Sequence, residues 1–472
     1  MSVARPPGNP VPAAGAEADA RLVKGIGLTG ATLMVVGSVI GSAIFLTSGI
    51  MAERLPSPAL LLAAWALGGV LVLCGSLTYA EMGAMYPRSG GLYVFLEQAF
   101  GPVWGFLFGW AGLLVVLTGS TAAVAVGFAE YFSYFVPSLA TSRIVASIPM
   151  PWGALSISAG QLVAVASIAL LAAINYVGVR PGNALQASLT VLKVAALASL
   201  PFLALAFHRA SPSLLPIVPR APGVVASFGV VLIGVMWAYE GWYYMPCAAG
   251  EIEEATRNVP RALVLGTLAL TAIYLVVNLA YFYAMPMAEM RGVVRVAERA
   301  VTSLVGARGA SFVAATVMLS TFGCNAAAVI AMSRMCYAMA ADGLFFKAAA
   351  AVHPVYRTPH IAIIATCAWS ALLTLTGTYE QLFTYVTFAS VLFGVAGGLA
   401  IFRLRETRPD VDRPYRTWGY PVVPAIFVLG LGLLVVSTLV ERPVQSLLGL
   451  GLVALGLPAY RYWRRKGTGV LP

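Results

Sequence analysis

From Gly25 onward the chain is a succession of apolar runs, most of them roughly 18 to 30 residues long, joined by short polar connections. A bilayer's hydrocarbon core is about 30 Å thick, and about 20 helical residues cross it at ~1.5 Å each. Lipid offers no partner to backbone N–H and C=O groups, so runs of this length fold as membrane-spanning helices or not at all. The composition leaves no room for a soluble reading: 60% of 472 residues are hydrophobic and 10% are charged. Mean hydropathy is +0.87. The expected class is an all-α polytopic membrane protein.

The runs place twelve transmembrane helices at about 25–51, 59–84, 92–127, 157–179, 183–207, 226–249, 262–285, 308–340, 361–377, 381–403, 421–440 and 444–462. Before them, residues 1–24 form a Pro/Ala-rich tail expected to be disordered. It lacks the charged start, short apolar core and cleavage site of a signal peptide, so the first span is expected to be retained. With the N-terminus placed in the cytoplasm, Lys and Arg are roughly two-fold enriched on the cytoplasmic side, which puts both termini inside. Arg403, Arg405, Arg408, Arg413 and Arg416 contribute to that excess, and residues 463–472 end the chain as a basic tail. The net charge of +11 is thereby explained by topology and implies no nucleic acid partner. The external segment 286–307 carries Arg291, Arg295 and Arg299 and reads as a short helix on the outer surface.

Spans one, two and five lie about 200 residues before spans six, seven and ten. Residues 25–207 and 226–403 therefore share one layout of five spans, and an odd number per unit inverts the second in the membrane; residues 421–462 add two further helices. Inverted repeats with matching interrupted helices mark secondary transporters. The interruptions are present. Span one holds Gly37-Ser38-Val39-Ile40-Gly41-Ser42-Ala43-Ile44-Phe45, with two glycines and two serines in six positions. Each weakens a helix, glycine by about 1 kcal/mol against alanine. Span six holds Trp237-Ala238-Tyr239-Glu240-Gly241-Trp242-Tyr243-Tyr244-Met245-Pro246, where proline removes an amide donor and glycine loosens the chain. Isolated breakers are ordinary in membrane helices; a matched pair points to a ligand that satisfies the freed backbone.

Two ionisable residues stand out within spans. Lys193 is about ten residues from the nearer end of span five, beyond the reach of a snorkelling stem, and so faces the interior with a partner. Glu240 sits in the second break, where it either meets a positive group or relays a proton, or caps the restarting half-helix; these roles can coexist. Glu81, near the end of span two, is expected to pair structurally with Arg88. His208, His353 and His360 flank spans without metal-ligand spacing, and Cys74, Cys247, Cys324, Cys336 and Cys367 read as buried free thiols. With no nucleotide loop, nucleophile–base pair or metal cluster, neither an enzyme nor an ATP-driven pump is expected, and no cofactor.

In Gly37–Phe45, in Glu81…Tyr86-Pro87-Arg88-Ser89-Gly90-Gly91-Leu92-Tyr93, in Phe100-Gly101…Gly109-Trp110, and in Trp237–Trp242 with Gly250-Glu251 and Arg257-Asn258-Val259-Pro260-Arg261-Ala262-Leu263, the chain resembles the amino acid–polyamine–organocation superfamily. Arg413-Pro414-Tyr415-Arg416…Gly419-Tyr420-Pro421 fits the same family's loop before span eleven, and the second break with the motifs that follow it is similar to the L-type amino acid transporter branch and its bacterial relatives. The resemblance implies a LeuT-like 5+5 inverted repeat plus two helices, working by alternating access without sodium, by exchange or proton coupling. It implies a bacterial inner membrane protein that binds an amino acid's carboxylate at amides near Gly41, Ser42 and Ala43. Its ammonium would meet carbonyls near Val39 and at Trp237 to Glu240.

The candidate substrate residues are therefore Val39, Ile40, Gly41, Ser42 and Ala43, with Trp237, Ala238, Tyr239, Glu240 and Gly241, Trp237 being the aromatic lid. Lys193 aligns with a family lysine in a sodium-like position between spans one and eight, with Ser320 as a contact. Two departures matter. Ala43 stands where many relatives have glycine and narrows the pocket by a methyl, and Glu240 replaces a small residue of several large-neutral carriers. Neutral amino acids are the preferred substrates, cationic amino acids or polyamines the alternative, and a non-transporting sensor a remote one. The external 128–156 connection has no cysteine, so no disulfide-linked heavy subunit is expected there.

Overall fold

The computed structural model describes residues 22–55, 57–150, 153–207, 223–293, 295–376, 379–441 and 443–467. Most of the 1–24 tail and the last five residues of the 463–472 tail lie outside the described residues. The described residues form a helical bundle. Eight helices are long and apolar enough to cross a membrane, and a bent pair makes a ninth span if counted as one.

The bent pair is α1 (Leu28–Val39) and α2 (Ala43–Arg54), which meet at 40°. Helix α3 (Pro58–Met85) starts on a serine cap: Leu60 N donates to Ser57 Oγ at 3.3 Å, and Pro58 occupies the first turn, where its missing N–H costs nothing. The third apolar run is not continuous from residue 92. A separate helix, α4 (Leu92–Phe100), ends at Gly101, whose φ of +94° turns the chain before α5 (Pro102–Phe135) begins. Beyond α5 an antiparallel hairpin, β1 (Ile144–Met150) and β2 (Gly153–Ser158), precedes α6 (Ala159–Val177), α7 (Val179–Ala206) and α8 (Val224–Ala238). A ten-residue 3-10 segment, Trp242–Glu251, comes after α8. Then come α9 (Ala255–Ala284), the short α10 (Val296–Val305), α11 (Arg308–Ala341), α12 (His360–Thr376), α13 (Tyr379–Thr407), α14 (Val422–Glu441), α15 (Pro443–Ala454) and α16 (Gly456–Gly467). Helix α10 falls within 286–307, where the charge pattern expects a short helix.

The bundle is built around α1, which packs on α7, α9, α11 and the 3-10 segment. Its face from Met34 to Val39 is buried, and α11 is buried over nearly its whole length from Ser320 to Ala340. Helices α7 and α14 instead expose large apolar side chains such as Val191, Leu192, Leu429 and Leu433, as lipid-facing surfaces do.

One pairing differs from the sequence reading. Glu81 does not meet Arg88. Its carboxylate takes a bidentate hydrogen bond from Arg405 (Nε 3.0 Å, Nη2 2.7 Å), another from Thr417 N (2.6 Å), and an ion pair with Arg413 at 3.3 Å. Arg88 pairs with Glu97 and with Asp342, at 3.4 Å. The loop after Met85 carries Arg88 toward the end of α11, whereas Glu81 still belongs to the face of α3 that packs on α13.

Candidate functional site

Helix α1 stops where its sequence weakens. Ile40 N still bonds Val36 O at 3.0 Å, but Gly41 N folds back onto Val39 O at 2.7 Å, and α2 starts afresh at Ala43. In the first turn of α2 Phe45 N bonds Ser42 O at 3.1 Å, and the amides of Ala43 and Ile44 precede the helix's own i−4 ladder. The carbonyls freed by the break are taken by side chains. Lys193 Nζ, fully buried, donates to Gly37 O at 2.7 Å, Ile40 O at 2.6 Å and Ser320 O at 3.3 Å, which uses all three of its protons. Ser320 Oγ lies 2.9 Å from Ile40 O and 3.0 Å from Gly41 O, and Cys324 Sγ donates to Ser38 O at 2.9 Å.

The second break runs from Tyr239 to Gly241. Glu240 N bonds Trp237 O at 3.0 Å, Gly241 takes a φ of +107°, and the chain resumes as a 3-10 helix through Pro246 instead of the α-helix expected to residue 249. Glycine is required at 241 twice over: that φ disfavours any side chain, and a Cβ would lie 2.8 Å from Ser38 O. The two breaks therefore touch backbone to backbone. Ser38 Oγ reaches Gly241 O at 2.9 Å, and the buried Tyr274 hydroxyl lies 2.8 Å from Ala238 O and 3.3 Å from Val39 O.

Glu240 does not cap the restarting helix; Gly241 occupies the cap position and no side-chain cap is made. The Glu240 carboxylate accepts from the Tyr243 hydroxyl and from Ser390 Oγ at 3.0 Å. Both hydroxyls meet the same oxygen, Oε1.

Between the breaks lies a narrow cavity of about 20 Å³ lined by Ser38, Val39, Gly41, Ser42, Ala43, Ser120, Val124, Trp237, Glu240 and Cys324. Val39, Gly41, Ser42, Ala43, Trp237 and Glu240 thus face one space, while Ile40, Ala238, Tyr239 and Gly241 stand behind it and Lys193 and Ser320 brace the first break from outside. Ser38, Ser120, Val124 and Cys324 escaped the sequence reading as cavity residues. Ser120 had a signal, since Thr118-Gly119-Ser120-Thr121 is a polar run inside an apolar helix. Tyr274 had none. Also missed was a fully buried ion pair, Arg334 with Glu251, at 2.6 and 3.0 Å. Among the described residues no group of three or more His, Cys, Asp or Glu could hold a metal ion.

The arrangement suits a small zwitterion. Amides at a helix start favour a carboxylate, carbonyls at helix ends favour an ammonium, and both kinds of end meet at one buried cavity. The sequence matches the amino acid permease family over residues 26–450. It is 29% identical over 454 residues to the serine/threonine exchanger SteT of Bacillus subtilis (strain 168), covering 95% of this chain and 98% of that protein. To the human Asc-type amino acid transporter 1 it is 28% identical over 465 residues, covering 96% and 85%. To the mouse large neutral amino acids transporter small subunit 2 it is 29% identical over 465 residues, covering 94% and 82%. The chain belongs to the amino acid permease family of the amino acid–polyamine–organocation superfamily and is an integral membrane protein.

Proposed function

We propose that the protein is a sodium-independent secondary carrier of small neutral amino acids that works by alternating access. The observation that carries this reading is the cavity between two interrupted helices, with the amide start of α2 and the carbonyl ends of α1 and α8 converging on it. In this reading the substrate carboxylate sits on the amides of Gly41, Ser42 and Ala43. Its ammonium meets the carbonyls of Val39 and of Trp237 to Glu240, with Ile40, Tyr239 and Gly241 shaping the breaks. Trp237 closes over it as a lid. Lys193 and Ser320 hold the carbonyls of the first break where a cation would otherwise be needed.

The cavity supports small substrates because the Ala43 methyl, Trp237 and Val124 crowd it. The exchanger of serine and threonine and the carriers of Asc type and of large neutral amino acids among its relatives support a neutral one. The scaffold in this reading has twelve helices: repeats 25–207 and 226–403 inverted with respect to one another, and 421–462 appended. The N-terminal tail (1–24) and basic tail (463–472) lie inside, in a bacterial inner membrane, without a disulfide-linked subunit.

Purified protein in liposomes preloaded with unlabelled serine or alanine is expected to take up the labelled amino acid, with competition falling from small neutral to large and cationic compounds. Uptake of none of the twenty amino acids, with binding retained, would mark a sensor instead. Strongest competition by arginine, lysine or putrescine would reassign the substrate class.

A further inference from the structure

Among the described residues, the largely enclosed carboxylates follow a rule with one exception. Glu81 pairs with Arg405 and Arg413, Glu97 and Asp342 with Arg88, and Glu251 with Arg334. Glu240, which faces the cavity between the two breaks, has no cation within ion-pair distance among the described residues. The two fully buried cations among the described residues are already engaged: Lys193 by three carbonyls and Arg334 by Glu251. The titratable groups that face Glu240 are Tyr243 and Tyr244 of the 3-10 segment and Tyr79 of α3. Cys324 of α11 shares its cavity, and Cys247 lies beyond Tyr244. Helices α5, α8 and α13 present Ser120, Trp237 and Ser390. None of these groups supplies a positive charge.

A lone carboxylate inside a membrane protein is costly, and a zwitterionic substrate adds no net charge to offset it. A proton does. We infer that Glu240 is a proton-binding site that loads and unloads with the substrate, so that inward movement of a neutral amino acid carries a proton with it. In the step, hydronium in the water facing the open cavity gives up one O–H bond and a carboxyl O–H forms on Glu240; on the far side the proton returns to water. No electrons move. The coupling is conformational. The two hydroxyls that favour the charged carboxylate come from separate elements, Tyr243 from the 3-10 segment and Ser390 from α13. Relative motion of those elements as the cavity changes sides removes a donor and favours the protonated form.

This inference rests on the carrier reading above, and one assay separates the two. Liposomes hold the wild-type protein and a pH-sensitive dye, with the membrane potential clamped by potassium and valinomycin. Labelled L-serine or L-alanine is added outside, and amino acid and proton entry are recorded together. The expected result is acidification of the lumen in step with uptake. In Glu240→Gln, protons entering per amino acid fall at least tenfold, whatever the rate of uptake. In Ser390→Ala, loss of one donor to the carboxylate moves the pH midpoint of uptake toward higher pH by about one unit. Uptake by the wild type without acidification overturns the proton site and leaves the carrier standing, as does an unchanged proton-to-substrate ratio in Glu240→Gln. No uptake of any amino acid overturns both. Should Glu240→Gln fail to fold, the wild-type recording and the Ser390→Ala profile decide.

Discussion

Lys193 shows how much one side chain settles. An ammonium has three protons and no acceptor, and here each proton finds a carbonyl: two on the broken first span and one on α11. The sequence makes its burial legible, because a lysine about ten residues from the nearer end of its span has to turn inward. Its partners are not legible, for Gly37 and Ile40 lie over 150 residues away and only the packing of α7 on α1 joins them. Lys193→Ala is expected to lower exchange more than tenfold while the protein still inserts and melts cooperatively. Lys193→Arg is expected not to rescue it, since a planar guanidinium cannot aim three donors around a point as an ammonium does. Parallel exchange assays and thermal melts check both. Full exchange in a well-inserted Lys193→Ala protein removes the role. Tyr274 is the contrasting case: nothing in the run Thr271–Tyr274 marks it, yet its hydroxyl lies between the carbonyl ends of both breaks.

At the level of elements, the paired interruptions are the feature that sequence and structure share. Glycine and serine in Gly37–Phe45 and glycine with proline in Trp237–Pro246 mark the stretches within which the helices open, at Ile40–Ser42 and Tyr239–Gly241, because helix propensity is a local property. The conformation beyond each break is set by distant packing. The second half of span six is a buried 3-10 run in contact with α1, α9 and α11, and the third apolar run is cut at Gly101. The contact between the breaks yields a sharp expectation. Gly241→Ala puts a methyl against Ser38 O and a side chain at a φ of +107°, a strain of about 1–2 kcal/mol before any clash. The two breaks must separate to admit it. Transport is expected to drop at least tenfold with a lower melting temperature, whereas Gly432→Ala on α14, with open space at its Cβ, leaves both unchanged.

Across the whole molecule, one end of the bundle is tied shut by long-range polar contacts. The chain before α1 pairs with the loop before α9, Gly25 N and Ile26 N on Glu251 O and Glu253 N on Ile26 O. The Glu251 carboxylate then grips Arg334 of α11 with no exposure on either side chain. Arg88, Glu97, Tyr93 and Asp342 form a second tie, and Glu81, Arg405 and Arg413 a third. Removing one partner of a buried pair costs about 3–5 kcal/mol, chiefly by stranding the other charge. Arg334→Met is therefore expected to lower the melting temperature sharply, and Arg334→Met with Glu251→Gln to recover part of the loss. Melting curves of the two single variants and the double variant in detergent measure it, and additive losses remove the claim.

The apolar runs alone determined that this chain is a helical membrane protein, because lipid leaves the backbone no other way to satisfy itself. Local breakers determined where two helices open. Only the tertiary structure decided what meets there: that the breaks touch at Ser38 and Gly241, that Lys193 and Tyr274 serve their carbonyls, and that Glu240 alone among the described enclosed carboxylates has hydroxyls in place of an arginine. Propensity and hydropathy act over a few residues and can be read in order along the chain. A charge's partner is set by which helices pack, over separations of 83 residues for Arg334 and Glu251 and 324 for Arg405 and Glu81.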